Sequence, residues 1–543
     1  MLSKVSEKKM HIIRYVLVIG WLVLITSLFY DPFTAYLTEP NNTLSPLRDN
    51  QLLETILVQG KPLNEQIYPV GARIFWGMVV PTAIMIILVF GHETWRRICP
   101  LYFLSQIPRK LGLKPLLDIH KNSWLTRNHF YLQFFLLFIG LNSRILFINS
   151  ARFALGLFLV TTILAAMTMV FLYGGRSWCH YVCPFGMVQN VFTGPRSLLG
   201  SNVSQAPAQS ITQSMCRTVN NLNGEEQSAC IGCKSACLDI NAEETYWTDM
   251  HKPGRKFAQY GYLGLVVSYF VYYRLYAGNF DYYFSGAWTH EENQLATLFS
   301  PGFYLFNEPV NIPKIVAVPL TLGLGVIVSN WICRKIEKYY RNYLKRRRAF
   351  IDAEQVTHRM FSLVTFIAFN SFFIYGGRPE ILRMPMPLQF LFNAVVVLVS
   401  SIWLCRTWGR SSAQYQREKS TNSYRYELEK LPFNVNDFLK ERTIDKLKTD
   451  ELSLLAAVLP QLNQSEHFQL YKSILTGAFV TKSFSPGQGL LFLESIRKEM
   501  FISDSEHGRT LLRIRQEDPE LFNSFNQYVS SNNTTQVRTR RKK

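Results

Sequence analysis

Six of the nine cysteines lie in one short stretch of the chain, at spacings that let thiolates converge on one inorganic core. They are Cys179, Cys183, Cys216, Cys230, Cys233 and Cys237. The first two form a C-x3-C pair followed by Pro184, and the last three form a C-x2-C-x3-C run. Iron–sulfur clusters are held by cysteine thiolates at such spacings, often with a proline after the last ligand. The pattern therefore favours electron transfer over hydrolytic chemistry.

The number of cysteines limits the number of clusters. A [4Fe–4S] cluster takes four ligands, usually thiolates. The C-x2-C-x3-C run can supply three, and the fourth comes from Cys179, Cys183 or Cys216. These six cysteines suffice for one cluster. A second cluster would raise the number of ligands to eight and would need Cys99, which Pro100 follows in the same way, with another interface cysteine or a non-cysteine ligand such as His180. A zinc site is the alternative, because zinc is bound at the same C-x2-C spacing.

The elements that must position these cysteines are membrane helices. Apolar residues make up 48% of the 543 residues and gather in eight runs long enough to span a bilayer. The runs are 12–30, 74–91, 130–148, 153–173, 257–277, 315–333, 360–376 and 388–405. Asn142-Ser143-Arg144 interrupts the third run, but an arginine near a helix end can extend to the interface. The predicted fold is all-α, a polytopic helical membrane protein of about eight spans.

The formal charge of +20 indicates orientation in the membrane rather than binding of nucleic acid. In membrane proteins excess Lys and Arg fix topology and contact anionic lipid, so we expect lipid as a partner and no nucleic acid. The positive-inside rule places both termini and the loops 92–129, 174–256 and 334–359 in the cytoplasm of an inner-membrane protein. The aromatic loop 277–313 has no Lys or Arg and is predicted outside, lying on the membrane surface, with partner docking or metal binding as alternatives.

Five regions follow from these patterns. They are a transmembrane region with a degenerate W-x3-C-P motif (1–173), a cytoplasmic iron–sulfur region (174–256), a second transmembrane region (257–405), a soluble helical domain (406–530) and a disordered basic tail (531–543). Within the soluble domain, helices are predicted at 428–439, 449–462, 464–477 and 487–501. Ser503-Asp-Ser-Glu506 has the pattern of a capping box and predicts a further helix start there.

The cysteine–proline motif occurs twice. Trp95-Arg-Arg-Ile-Cys99-Pro100 aligns with Cys179-His-Tyr-Val-Cys183-Pro184, 84 residues further on. Each copy follows an apolar span and a short polar step. The first copy has Trp95 where the second has Cys179, so it is interpreted as a C-x3-C-P site that has lost one ligand.

These motifs resemble the polytopic membrane ferredoxins of the NapH/NosR type, which act around nitrate and nitrous-oxide reductases. The resemblance covers residues 74–256 and is specific at 176–186 and 230–237. It implies cytoplasmic iron–sulfur clusters that pass electrons toward or across the membrane. The chain departs from the pattern at Trp95, at Leu238, where a proline is expected, and in lacking a flavin-attachment motif in the outer loop. These departures weigh against a two-cluster relay.

The expected function is that of a membrane-integral iron–sulfur electron carrier. It would connect a cytoplasmic protein donor or a quinol with a membrane or periplasmic acceptor, as a component of an oxidoreductase rather than a stand-alone enzyme. No catalytic side chains are predicted. The alternative is a redox sensor or assembly factor that signals through the C-terminal helical domain.

Overall fold

A computed structural model shows a chain of long helices with three short antiparallel strand pairs among the residues it describes. The described residues are 7–39, 41–42, 44–45, 47–48, 56–63, 67–117, 119, 122–200, 217–219, 226–228, 242–291, 294–347, 352–419, 468, 471–476, 494, 497 and 502–519. The prediction of an all-α polytopic protein is confirmed.

The α-helices of the transmembrane part follow one another closely. In chain order they are α1 (Glu7–Phe29), α2 (Thr34–Thr38), α3 (Val70–Ile74), α4 (Val80–Ile98), α5 (Pro100–Ser105), α6 (Ile107–Lys110), α7 (Ser123–Ser143), α8 (Arg152–Tyr173), α9 (Pro184–Thr193), α10 (Ala242–Asp249), α11 (Arg255–Ala277), α12 (Asp281–Phe284), α13 (Lys314–Arg346), α14 (Ala353–Ser371), α15 (Arg378–Leu382) and α16 (Met386–Trp408). Among the described residues, π-helical turns occupy Phe75–Val79, Arg144–Ile148, Trp178–Val182 and Phe372–Gly376.

Seven helical segments are long and apolar enough to cross a membrane. They are Met10–Phe29, Val70–His92, Ser123–Ile148, Arg152–Tyr173, Lys314–Arg346, Ala353–Gly376 and Met386–Trp408. The eighth predicted span is α11, whose 23 residues are long enough for the bilayer but include six tyrosines. All six are buried against neighbouring helices. The helix therefore needs less lipid-compatible surface than its neighbours, and the count of eight spans stays a prediction.

Successive long helices run in opposite directions, so their ends gather in two groups. At one end the start of α1 meets the end of α4, where Arg14 Nε donates to the Arg97 carbonyl oxygen at 2.8 Å. At the other, Arg73 at the end of α3 pairs with Glu380 of α15 at 3.2 Å. We call these the cysteine end and the far end. The orientation of the two ends in the membrane stays a prediction of the positive-inside rule.

The loop at the far end contains regular secondary structure. It includes α12, two 3₁₀ turns (Ala287–Thr289 and Ala296–Phe299) and the hairpin of β5 (Pro301–Leu305) and β6 (Glu308–Pro313). Shorter strand pairs are β1 (Leu57–Val58) with β2 (Lys61–Pro62) and β3 (Arg217–Val219) with β4 (Glu226–Ser228). Glu291 is buried in the loop and accepts hydrogen bonds from the hydroxyls of Tyr276 at 2.5 Å and Tyr282 at 2.8 Å. The position of this loop on the membrane surface stays a prediction.

The chain divides into two compact units, Met1–Ser201 with Gln213–Gly409 and Asn202–Thr212 with Arg410–Lys543. In the second unit, the helix Asp504–Glu517 begins at Ser503, whose Oγ accepts from the Glu506 backbone N–H while the Glu506 carboxylate accepts from the Ser503 backbone N–H. The predicted capping box is confirmed. The helices predicted at 428–439 and 449–462 lie outside the described residues, and those at 464–477 and 487–501 lie partly outside them.

Close contact between α11 and α13 depends on paired glycines. A Cβ on Gly264 would lie 2.2 Å from the carbonyl oxygen of Gly325, and a Cβ on Gly325 would lie 2.5 Å from the Ser268 side chain. Small residues at such positions let the backbones of membrane helices approach each other. The centre of the helical core is therefore sensitive to added volume here.

We predict that Gly264→Ala destabilises the protein by about 1–3 kcal/mol, because the added methyl group forces α11 and α13 apart. The measurement is thermal unfolding of the full chain in detergent. Gly323→Ala is the matched control, since its Cβ would meet only Phe138 at 3.9 Å. Equal midpoints for the two variants would contradict the described contact.

Candidate metal centre

Cys183 stands between a π-helical turn and an α-helix. The π turn Trp178–Val182 ends when the Cys183 N–H donates to the Trp178 carbonyl oxygen at 2.8 Å. Cys183 is extended (φ −54°, ψ 119°), and Pro184 occupies the first position of α9. Proline is suited to that position because it lacks the N–H that would otherwise have no partner in the helix. The sequence thus places the thiol at a helix start.

Cys99 has the same local structure. Its N–H donates to the Trp95 carbonyl oxygen at 2.9 Å, its backbone is extended (φ −60°, ψ 113°), and Pro100 begins α5. The predicted repeat is therefore present in the backbone as well as in the sequence.

The structure revises the alignment of the two copies. Gly91 (φ 82°, ψ 175°) and Gly174 (φ 70°, ψ −174°) share a backbone conformation that is essentially restricted to glycine. Trp95 and Trp178 each come four residues after these glycines, and each accepts the hydrogen bond of its cysteine N–H. Trp95 therefore corresponds to Trp178.

Cys179 is the additional residue of the second copy. Three residues separate Trp95 from Cys99, whereas four separate Trp178 from Cys183, and the wider π turn accommodates the difference. The interpretation that the first copy lost a ligand at Trp95 is corrected by this geometry. The second copy has one residue more, and that residue is a cysteine.

The helix that follows each copy of the motif packs against the helix that precedes the other copy. The helix after Cys99, α5, packs on α8, which precedes the second motif, and the helix after Cys183, α9, packs on α4, which precedes the first. Trp95 contacts Phe185 across this interface, with ring centroids 5.2 Å apart. The crossing brings Cys99 and Cys183 close enough for the charge on one to affect the other.

Burial dominates the acid–base behaviour of both thiols. It raises the pKa of Cys183 to about 12, and negative charge on Cys99 adds to the rise. Burial also raises the pKa of Cys99. Desolvation disfavours thiolates, so without a metal these groups are neutral at physiological pH, whereas coordination to a metal deprotonates a thiol outright.

Backbone N–H groups oppose that desolvation at both cysteines. The N–H groups of Leu101 and Tyr102 are directed at the Cys99 sulfur and lower its pKa, and those of Phe185 and Gly186 do the same for Cys183. In both cases these are the residues two and three positions after the cysteine. The start of each helix thus stabilises a thiolate, as helix N-termini stabilise anions generally.

Cys179 is held through its backbone. Gln133, fully buried in α7, donates through Nε2 to the carbonyl oxygens of Cys179 at 3.3 Å and His180 at 3.1 Å. On the other side Gly186 approaches so closely that a Cβ there would lie 2.6 Å from the Cys179 carbonyl oxygen. The π turn is therefore fixed between a transmembrane helix and α9.

Buried positive charge lies beside the cysteines. Arg176 is only 3% exposed, its guanidinium stacks 3.9 Å over the Tyr102 ring, and its charge lowers the pKa of Cys99. Arg176 Nη2 also donates to the Arg96 carbonyl oxygen at 3.4 Å. A cation at this position favours a site that holds thiolates.

Cys99, Cys179 and Cys183 are the site cysteines that the structure describes. Cys216, Cys230, Cys233 and Cys237 lie outside the described residues. Within the described part of the chain, no group of three or more His, Cys, Asp or Glu side chains is arranged to hold a metal ion. Further ligands would come from the undescribed cysteines. Of the two remaining cysteines, Cys333 is buried in α13 and Cys405 is exposed on α16.

The local chemistry fits an iron–sulfur cluster, since it consists of thiols, directed N–H groups and a nearby cation. A family model described as a 4Fe-4S binding domain matches residues 155–202, which include Cys179 and Cys183. The chain carries a 4Fe–4S binding domain. No curated protein and no solved structure gives a significant match to the chain. The prediction of a 4Fe–4S cofactor is confirmed, and an electron-transfer role follows from it in general terms.

Sequence reasoning did not identify Gln133 or Arg176 as part of this site. An uncharged polar residue inside an apolar span is a usable signal for Gln133, because such a group needs a buried partner. Arg176 lies in the polar step between Gly174 and Cys179 and carries no comparable signal. Its role depends on α5 packing against α8, which the sequence does not give.

We predict that Gly186→Ala weakens retention of the cluster about tenfold or more, because the new methyl group displaces the backbone that carries Cys179. Iron per chain is measured after anaerobic purification and a timed challenge with an iron chelator. Gly140→Ala serves as control, since a Cβ there meets nothing within 4 Å. Equal iron retention in both variants would show that Gly186 does not position Cys179.

Proposed function

We propose that this protein is a membrane-integral electron carrier whose [4Fe–4S] cluster lies against the cytoplasmic ends of its helices. The observation that carries the proposal is the crossed pair of Cys–Pro turns, in which two helix starts direct N–H groups at neighbouring thiols, the buried Cys183 and the half-buried Cys99. The family match over residues 155–202 supports the cofactor.

The proposed ligands come from the six clustered cysteines. Cys179 and Cys183 are combined with Cys230, Cys233 and Cys237, and Cys216 is a candidate in place of one of them. Cys99 is added to the candidates because it shares its environment with Cys183. When bound, the cluster supplies one-electron redox chemistry.

The residues of this chain tune the site rather than carry out a bond-making step. Cys183 is buried and Cys99 is half-buried, and the directed N–H groups compensate thiolate charge at both. Arg176 adds positive charge beside Cys99. Hydrogen bonds to sulfur, net charge and solvent exposure set the reduction potential of such clusters.

The proposed donor is a soluble cytoplasmic protein or a quinol, and the proposed acceptor lies in the membrane or the periplasm. The basic residues at the cysteine end support steering of an acidic protein donor. Anionic lipid is a proposed further partner of the same basic surface.

We predict that Cys183→Ser and Cys99→Ser each reduce iron and acid-labile sulfide to less than half of the wild-type content, because each removes a thiolate from the shared site. The measurement combines elemental analysis with the visible spectrum of the anaerobically purified full chain. Cys405→Ser is the matched control, since Cys405 is exposed on α16. Unchanged iron in Cys183→Ser would refute the ligand assignment, whereas unchanged iron in Cys99→Ser alone would remove only Cys99.

A redox sensor or assembly factor is the second candidate function. This function is favoured because residues 410–543, together with residues 202–212, form a compact unit of their own. In that case the cluster would report redox or iron status, and the C-terminal unit would recruit a partner.

Truncation after Gly409 distinguishes the two functions. We predict that the truncated chain retains its cluster and its dithionite-reducible spectrum in membranes, and that reoxidation by added quinone proceeds within about twofold of the wild-type rate. Retention is expected because the described cysteines all lie in the first unit. A chain that keeps the cluster but loses its cellular output while electron transfer is unchanged would favour the sensor.

A further inference from the structure

A second polar centre lies at the far end, inside the helical core. Arg144 is located in the π turn at the end of α7, eleven residues from Gln133, so it is about 16 Å from the cysteine site along the helix. Its guanidinium carbon is 4.1 Å from the Trp76 ring centroid, 5.5 Å from that of Tyr269 and 5.7 Å from that of Trp288. The guanidinium of Arg144, a half-buried residue, therefore lies among aromatic rings.

Arg144 has no anionic partner among the residues that the structure describes. Its buried Nε makes no hydrogen bond there, and no carboxylate in the described part of the chain pairs with it. Two carboxylates at the far end are already engaged, since Glu291 pairs with Lys314 at 3.4 Å and Glu380 with Arg73. An arginine held inside a membrane helix without a counter-charge is costly and is a functional-site signal.

Several neighbouring hydrogen-bonding groups are also unused. In the described part of the chain the indole N–H groups of Trp76 and Trp288 have no acceptor. Tyr269 accepts from the Tyr273 hydroxyl at 3.0 Å, which leaves its own O–H available to donate. All three are donors, and Trp288 and Tyr269 are 4% and 5% exposed. Buried donors without partners are rare in folded proteins, so each implies an acceptor.

Asn149 provides an independent observation. It is fully buried one π turn after Arg144, and within the described residues neither its amide nitrogen nor its amide oxygen has a partner. Trp76 lies in the π turn Phe75–Val79. A further π turn at this end, Phe372–Gly376, provides the Gly376 carbonyl oxygen that accepts a hydrogen bond from the Tyr283 hydroxyl at 3.1 Å. π turns are often found at functional sites, and Trp76 and Arg144, which come from two of them, are in contact here.

We propose that Arg144, Trp76, Tyr269 and Trp288 form a binding site for a small oxyanion at the far end of the helices. The charge argument selects an anion over a neutral ligand, because an anion neutralises the guanidinium, whose charge the aromatic rings offset only in part. The donor groups select oxygen acceptors, since guanidinium N–H groups match carboxylate and related oxyanions geometrically. The site is separate from the cysteines and does not rest on the electron-carrier function.

Titration of the purified full chain with sodium nitrate, sodium phosphate and sodium formate tests this site. Binding is followed by calorimetry and tryptophan fluorescence in detergent, with sodium chloride as the ionic-strength control. The wild type is expected to bind at least one oxyanion saturably, with one site per chain. Arg144→Gln is expected to weaken that binding about tenfold or more, because it removes a charge-assisted hydrogen bond.

Two further variants keep the test decisive if Arg144→Gln does not fold. Arg144→Lys keeps the charge but loses the planar fork, and Trp288→Phe removes one donor, so both are expected to bind more weakly than the wild type. Arg274→Gln is the matched control, because Arg274 is an exposed arginine at the same end, where it bonds the Gly278 carbonyl oxygen and stacks on the Phe280 ring. Its affinity is expected to equal that of the wild type.

Three results would overturn the proposal. One is the absence of saturable oxyanion binding to the wild type, and another is equal affinity in the wild type and all Arg144 variants. The third is binding of a neutral short-chain quinone that depends on Arg144 while the oxyanions fail to bind. That last result would replace the anion with an uncharged carbonyl ligand.

Discussion

Two neighbouring thiols, the buried Cys183 and the half-buried Cys99, impose the constraint on which the cysteine end depends. Desolvation and mutual repulsion make thiolates unfavourable at Cys99 and Cys183, so the fold must supply compensation. The same local structure does so at both cysteines: a Cys–Pro turn is followed by a helix whose first turn directs two N–H groups at the sulfur. Because α5 packs on α8 and α9 packs on α4, the two Cys–Pro turns lie close together. The cationic metal core proposed to bind here would favour the thiolate form of both cysteines, which otherwise stay protonated.

One added residue, Cys179, distinguishes the second copy of the Cys–Pro motif from the first. The π turn before Cys183 accommodates Cys179 without moving Trp178 from the position that Trp95 occupies in the first copy. The extra thiol is thereby placed on a fixed backbone, between Gln133 and Gly186. A similar use of π geometry occurs at the far end, where the turns that carry Trp76 and Arg144 bring these two side chains into contact. In both places a π turn presents a polar group inside a helical core.

Much of the fold could be predicted from the sequence because the bilayer imposes simple rules on length and hydrophobicity. Seven of the eight predicted spans coincide with apolar helices, and the capping box at Ser503 begins a helix as expected. The C-x3-C-P motif and its repeat could also be recognised, since cluster-binding cysteines occur at short spacings. The correspondence of Trp95 with Trp178 could not be predicted, because a one-residue insertion inside a π turn cannot be located from spacing alone.

Tertiary contacts determined what the sequence could not show. The guanidinium of Arg144 packs against Trp76 and Tyr269, which come from other helices. In the outer loop, Glu291 is buried by hydrogen bonds from Tyr276 and Tyr282. Each outcome depends on which distant residues meet, and composition and periodicity carry no such information.

The most direct test of the central claim is the metal and sulfide content of the wild-type protein. The full chain is purified anaerobically in detergent, and iron, zinc and acid-labile sulfide are measured together with the visible spectrum. The account predicts about four irons and four sulfides per chain and a brown colour that dithionite bleaches. Stoichiometric zinc without sulfide, in a colourless protein, would contradict it and leave the cysteines as a structural zinc site.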